Sequence, residues 1–160
     1  DSLKHLMSCS SEELLVEIKK IIELNKHSLK EISRLRAIKD KEKMKLLIDS
    51  AEEIKGCKII IDTLDEVADL KRFGQDCIDQ SNKATALLLC TLKDKKPLVV
   101  CAVSKDIADS VNASDIVKSI SKVIDGGGGG KSTIATAGGK NDKALKRALE
   151  IGYKEIISRL

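Results

Sequence analysis

Apolar residues in the first third of the chain recur at alternating four- and three-residue intervals, with Leu14, Ile18, Ile21, Asn25, Ser28, Ile32 and Leu35 on one line flanked by Leu15, Ile22 and Leu29. This is the seam of a coiled coil, in which Asn25 is a polar position able to fix register at some cost in stability. Ahead of it, Ser10-Ser11-Glu12-Glu13 forms a capping box, Ser10 accepting an N–H and Glu13 reaching back, so a helix is predicted to start there. The charged run over residues 39–43 interrupts the seam before Met44, Leu47, Ile48, Ala51 and Ile54 resume it. Two helices folded as a hairpin are the preferred reading, and one long bent helix is the alternative. Such a seam is a packing element before it is a ligand site.

Gly56 is expected to end this helical arm, after which the period shortens. Lys58-Ile59-Ile60-Ile61-Asp62 reads as a short apolar strand, and residues 66–80 as a helix weakened by Gly74. Residues 84–92 and 98–103 are apolar runs joined by Lys93-Asp94-Lys95-Lys96-Pro97, the pattern of a β-hairpin. A helix over 115–124, a short strand over 134–137 and a lysine-rich closing helix over 142–160 complete the chain. The expected fold class is α+β: a helical arm over residues 1–55, then a small mixed sheet of four or five strands over residues 56–160, covered by helices.

Composition narrows what such a fold can do. The chain has 160 residues, 42% of them apolar, which suits one domain or a domain with an appended element. No apolar run approaches the length of a membrane span and no signal peptide opens the chain, so a soluble, cytoplasmic protein is expected. The start at Asp1 predicts a piece of something longer. Cys9, Cys57, Cys77, Cys90 and Cys101 are widely spaced, contain no C-x-x-C, and have only His5 and His27 as imidazole partners, which leaves no recognisable zinc site. Buried, reduced thiols are the expected state, consistent with a cytosolic compartment.

Net charge is +4, too small to establish a nucleic-acid partner, but its distribution is uneven. Residues 1–55 carry twelve basic and eleven acidic side chains, whereas residues 131–160 carry seven basic and three acidic. Phe73 and Tyr153 are the only aromatic residues. Recognition of single strands by aromatic stacking is thereby disfavoured, and any RNA is expected to be held by backbone and shape.

The remaining signal is residues 125–140, DGGGGGKSTIATAGGK. Five consecutive glycines are costly in regular structure, so a bare backbone must be needed against a phosphate or another chain. Gly130-Lys131-Ser132 completes the end of a P-loop motif, but the first glycine of that motif falls on Asp125, and an amphipathic helix, not a strand, precedes the run. Nucleotide hydrolysis is therefore disfavoured.

Taken in order, the hairpin, Val103-Ser104-Lys105-Asp106, a helix, the glycines 126–130, Lys131 and Ala135-Thr136-Ala137-Gly138-Gly139 resemble the carboxy-terminal domain of alanyl-tRNA synthetases, a branch of the family associated with DHH phosphoesterases. Lys131 matches the branch's basic residue, and Thr136 stands where the branch usually has glutamine. The resemblance covers roughly residues 55–160 by motif, and the arm only by type and position. It implies a fragment of an alanine-tRNA ligase that binds the outer corner of tRNA(Ala), supports a homodimer through the helical arm, the α/β domain or both, and couples aminoacylation to editing in the rest of the synthetase chain. No catalytic residue carries over, and ATP and zinc would belong to upstream domains, so the fragment alone is expected to have no catalytic site, metal or cofactor. The expected tRNA-binding residues are Lys105, Gly126, Gly127, Gly128, Gly129, Gly130, Lys131, Lys140, Lys143, Lys146 and Arg147. Two other classes compete: a nucleotide- or oligonucleotide-binding domain of a DHH-type phosphoesterase, where a histidine usually follows the glycines, and a purely structural dimerisation module.

Overall fold

The structure, a computed structural model, describes residues 11–65 and 67–160. His5, Cys9, Ser10 and Glu66 lie outside the described residues, as do the side chains of Ser11 and Glu12, so the capping box does too. The chain divides into two compact units, Asp1–Glu42 and Lys43–Leu160.

α1 (Ser11–Asp49) is one helix of 39 residues, the alternative reading of the arm and not the hairpin. Lys39-Asp40-Lys41-Glu42-Lys43 interrupts the apolar seam but not the backbone, because lysine and glutamate are good helix formers and the run contains no glycine or proline. Along this helix Ile21 is 49% exposed and Ile32 46%.

The second unit continues with β1 (Glu52–Ile54), β2 (Cys57–Thr63), α2 (Leu70–Gln80), β3 (Thr85–Lys93), β4 (Lys96–Val103), α3 (Ala113–Val123), β5 (Gly127–Gly130), β6 (Ile134–Gly138) and α4 (Leu145–Arg159). The strands form one mixed sheet in the order β1-β2-β3-β4-β6-β5, and all neighbours are antiparallel except β2 and β3, which α2 connects. The α+β expectation holds, with six strands in place of four or five. Gly56 does not cap a helix. Lys55 and Gly56, at φ 51° and 80°, are the two-residue loop between β1 and β2, the positive-φ geometry that tight hairpins require. Asp94 and Lys95, at φ 51° and 61°, turn the β3–β4 hairpin in the same way.

Helix starts shift toward their caps. Asp69 accepts the Arg72 N–H at 3.0 Å, so α2 begins at Leu70. Asn112 Oδ1 accepts the Ser114 N–H at 2.9 Å, so α3 begins at Ala113.

Alternation along the central hairpin sorts side chains into two cores. Ala86, Leu88, Cys90, Val99, Cys101 and Val103 face α3 and α4, while Leu87, Leu89, Val100 and Ala102 face α2 and the end of α1 at Met44, Leu47 and Ile48. Both faces of β3 and β4 are buried, which is why these runs are apolar throughout.

The largest departure from expectation is the glycine run: Gly127–Gly130 is a strand, β5, at the edge of the sheet, and not a loop. Glycine disfavours strands by itself. Here β6 supplies a partner in register, and α3 lies so close that a Cβ on Gly128 would stand 2.7 Å from Val117 Cγ1.

Candidate nucleic-acid interface

Alternation along β5 gives its glycines two different surroundings. A Cβ on Gly128 would also meet Ala137 Cβ and the Thr136 carbonyl oxygen at 2.8 Å, so this glycine makes room for α3. For Gly127, Gly129 and Gly138 nothing lies within 4 Å of the added atom, and none of the three has a positive φ. Packing does not explain them.

The five amides of residues 126–130 do not converge as a cradle would require. The Gly126 N–H donates to the Ser121 carbonyl at 2.9 Å, and the Lys131 N–H donates to the Ile134 carbonyl at 2.8 Å. Since antiparallel pairs alternate, Gly127 and Gly129 pair inward with Gly138 and Thr136, and Gly128 and Gly130 turn their N–H and C=O groups to the open edge.

The expected basic residues separate into two groups. Lys131 follows the carboxyl end of β5, and Lys105 follows β4 at the same end of the sheet. Lys140 follows β6 at the opposite end, roughly 15 Å away at the ~3.3 Å rise per strand residue, beside Lys93 and Lys96 of the β3–β4 turn. Lys143 precedes α4, and Lys146 and Arg147 lie in its first turn, where a helix's positive end disfavours cations. All these lysines and Arg147 are exposed, and no hydrogen bond or ion pair within the described residues occupies their side chains. Lys93 and Lys96 were absent from the sequence-based candidates. Their density in Lys93-Asp94-Lys95-Lys96 was the available signal, and the strand register that puts them beside Lys140 was not.

Ser104 in Val103-Ser104-Lys105-Asp106 has a structural task. Its hydroxyl accepts the Thr85 N–H at 2.9 Å and its own N–H donates to the Thr85 carbonyl at 2.9 Å, closing the end of the hairpin. Thr136 lies opposite Val100 and Gly129, on the face that also carries Leu98, Gly127 and Gly138.

The two aromatic residues are tied into the fold. Phe73 is buried under the sheet, and the Tyr153 hydroxyl donates to Glu52 Oε2 at 3.0 Å. The described thiols are poor nucleophiles as well: burial pushes Cys77 and Cys101 up to about 12 and raises Cys57 and Cys90. Among the described residues no group of His, Cys, Asp and Glu is arranged to hold a metal, and no helix is long and apolar enough to cross a membrane.

Residues 58–157 match the DHHA1 domain model. Over 145 residues the chain is 33% identical to a Carboxydothermus hydrogenoformans protein named alanine–tRNA ligase, covering 89% of this chain and 16% of that one. A Fervidobacterium nodosum protein of the same name is 32% identical over 161 residues, covering 99% of this chain and 18% of its own. The solved C-Ala domain from Aquifex aeolicus alanyl-tRNA synthetase superposes with a TM-score of 0.61 at 25% identity, covering 68% of this chain and 98% of that domain. The chain thus spans less than a fifth of the length of the curated relatives it matches.

Proposed function

Because the chain belongs to the DHHA1 domain family and is similar almost throughout to part of proteins named alanine–tRNA ligases, we propose that it is the carboxy-terminal tRNA-binding and dimerisation module of such a ligase. In this reading it grips the outer corner of tRNA(Ala) and holds it for the aminoacylation and editing sites of the rest of the chain, in the cytoplasm. It contributes no catalytic group of its own.

The observation that carries the reading is a set of exposed cations with no ion pair among the described residues: Lys93, Lys96 and Lys140 at one end of the sheet, and Lys143, Lys146 and Arg147 at the start of α4. Folding gains nothing from Lys146 and Arg147 at the positive end of α4, whose cap Ala144 offers no side-chain acceptor and whose first turn has no acid. A phosphate backbone supplies the missing negative charge, and contacts of this kind position an RNA without reading its bases. Lys131, Lys105 and the open-edge amides of Gly128 and Gly130 form a second contact area at the other end of β5. Dimerisation rests on α1, whose exposed apolar stripe gains by covering itself with the stripe of a second copy.

Fluorescence anisotropy with a labelled tRNA(Ala) transcript tests the assignment. Lys140→Ala and Lys146→Ala should each weaken binding to all structured tRNAs alike and reduce the slope of log affinity against log salt by about 1, as one lost phosphate contact does. Lys131→Ala should do the same if the second area is used at the same time. An unchanged affinity and slope in all three variants would contradict the reading.

A further inference from the structure

The apolar stripe of α1 is open in the single chain, with Ile18, Ile21, Ile32 and Leu35 all exposed. On a seven-residue repeat Ile18, Asn25 and Ile32 take the first core position, and Leu14, Ile21, Ser28 and Leu35 take the second. A partner helix could meet these layers running in either direction. The flanking positions decide between the two.

Glu17, Leu24 and Glu31 stand just before the first core position, and Ile22, Leu29 and Arg36 just after the second. In a parallel pair each residue of the former set meets the residue five places later in the other copy. Leu24 then meets Leu29 and Glu31 meets Arg36, an apolar match and a charged match on both sides of the pair. Glu31 has an oxygen to spare for this, since only Oε1 approaches Arg34 of its own helix, at 3.5 Å. Glu17 meets Ile22, but its carboxylate is already held by Lys20 Nζ at 2.6 Å. An antiparallel pair sets like flank against like. In the register that places Asn25 against Ser28 and keeps the other core layers apolar, Leu24 meets Glu31, Glu17 meets Ile38 and Leu15 meets Arg36. Only Ile22 with Leu29 is matched there.

The core layers agree with the flanks. Isoleucine at the first core position, at 18 and 32, with leucine at the second, at 14 and 35, is the combination that favours two parallel strands; Ile21 alone departs from it. In a parallel pair Asn25 meets Asn25, and each amide can donate to the other's carbonyl. The next first position brings Lys39 against Lys39, so the paired length ends after Leu35, roughly 30 Å from Leu14 at ~1.5 Å per residue.

We infer that α1 joins the α1 of a second copy as a parallel, in-register, two-stranded coiled coil over residues 14–35, with the Asn25 pair fixing direction and register. Both chains then leave the coil at the same end. The inference rests on the dimer reading of α1 and adds to it the direction, the register and the residue that sets them.

The test is cysteine cross-linking of the full chain in a Cys9→Ser background, in which the four described thiols are buried. Ile18→Cys and Leu35→Cys are made separately, one of them on a chain lengthened by a tag so that mixed products differ in mass. Both positions are exposed in the single chain, so neither change cuts into its core. Under mild oxidation each variant alone should link to itself, and an equimolar mixture should give no mixed product. An antiparallel pair places residue 18 opposite residue 35, so linkage in the mixture alone would overturn the inference. Asn25→Ile should tighten self-association about tenfold or more and admit oligomers above the dimer in sedimentation, because the buried amide is held at a cost in stability. Unchanged affinity and mass would overturn the role of Asn25. A monomeric parent in light scattering would remove the dimer reading and this inference with it, whereas a dimeric parent whose variants never link would refute the coil alone.

Discussion

Gly128 and Gly127 are neighbours of identical chemistry, and substituting each with alanine should move stability in opposite directions. A methyl carbon at 128 would lie 2.7 Å from Val117 Cγ1 and 2.8 Å from Ala137 Cβ and the Thr136 carbonyl oxygen. Comfortable carbon contacts are about 3.5–4.0 Å, so the neighbours must give way by roughly 1 Å. None can do so cheaply, because Val117 is fully buried in α3 and the other two atoms are fixed to β6. Overpacking of this kind costs about 1–3 kcal/mol, against which the reduced freedom of the unfolded chain returns about 0.4–1 kcal/mol. The net loss for Gly128→Ala is about 1–2 kcal/mol, a fall in melting temperature of roughly 2–8 °C for a chain of this size. At 127 the added carbon meets nothing within 4 Å, so Gly127→Ala should gain about 0.4–1 kcal/mol. Urea unfolding with a common m-value measures both. Adding Val117→Ala to Gly128→Ala should cost less than the sum of the two single changes, since the first removes the atom that the second strikes. Equal losses at 127 and 128, or strict additivity with Val117→Ala, would refute the division of β5 into a packed and an open face.

If the α1 stripe joins two copies, Ile21→Lys with Ile32→Lys should convert dimers to monomers in light scattering, and a monomeric parent would contradict the idea. In a Cys9→Ser background the four described thiols, all buried, should react slowly with a thiol reagent in the native protein and quickly in urea, whereas fast native labelling of Cys90 or Cys101 would show that the hairpin is not the core. Burial holds the Cys77 and Cys101 thiols at about 12 against 9.0 for a free thiol, so the folded chain keeps protons that the unfolded chain releases. That stability is full below pH 9 and is lost as the pH rises toward 12, at roughly 1 kcal/mol per thiol between pH 9 and 10. Cys77→Ala with Cys101→Ala should flatten the alkaline slope, and an unchanged slope would place the effect elsewhere.

The central hairpin was legible because both faces of β3 and β4 are buried, which leaves uninterrupted apolar runs around a polar turn. The continuity of α1 was not, since a charge run that breaks a seam says nothing about a backbone that lysine and glutamate keep helical. β1 has three residues, two of them glutamates, and exists because the Lys55-Gly56 turn folds it onto β2. The glycine strand is the plainest case of context overriding propensity: local preference reads a loop, and pairing with β6 under α3 makes a strand. This changed the candidate site. Lys131 and Lys140 bracket the glycines in sequence, which suggested one cluster, but an extended strand between them sets them at opposite ends of the sheet, and the β3–β4 turn brings Lys93 and Lys96 to Lys140 instead.

The central claim is that this chain holds tRNA through the exposed cations of its sheet end and α4 and the open edge of β5, and an anisotropy titration of tRNA(Ala) at several salt concentrations tests it directly. The account predicts saturable binding whose log affinity falls linearly with log salt, with a shallower slope when Lys140, Lys143, Lys146 and Arg147 are changed together to alanine. No binding at low salt, or binding with a slope that the fourfold change leaves untouched, would contradict it.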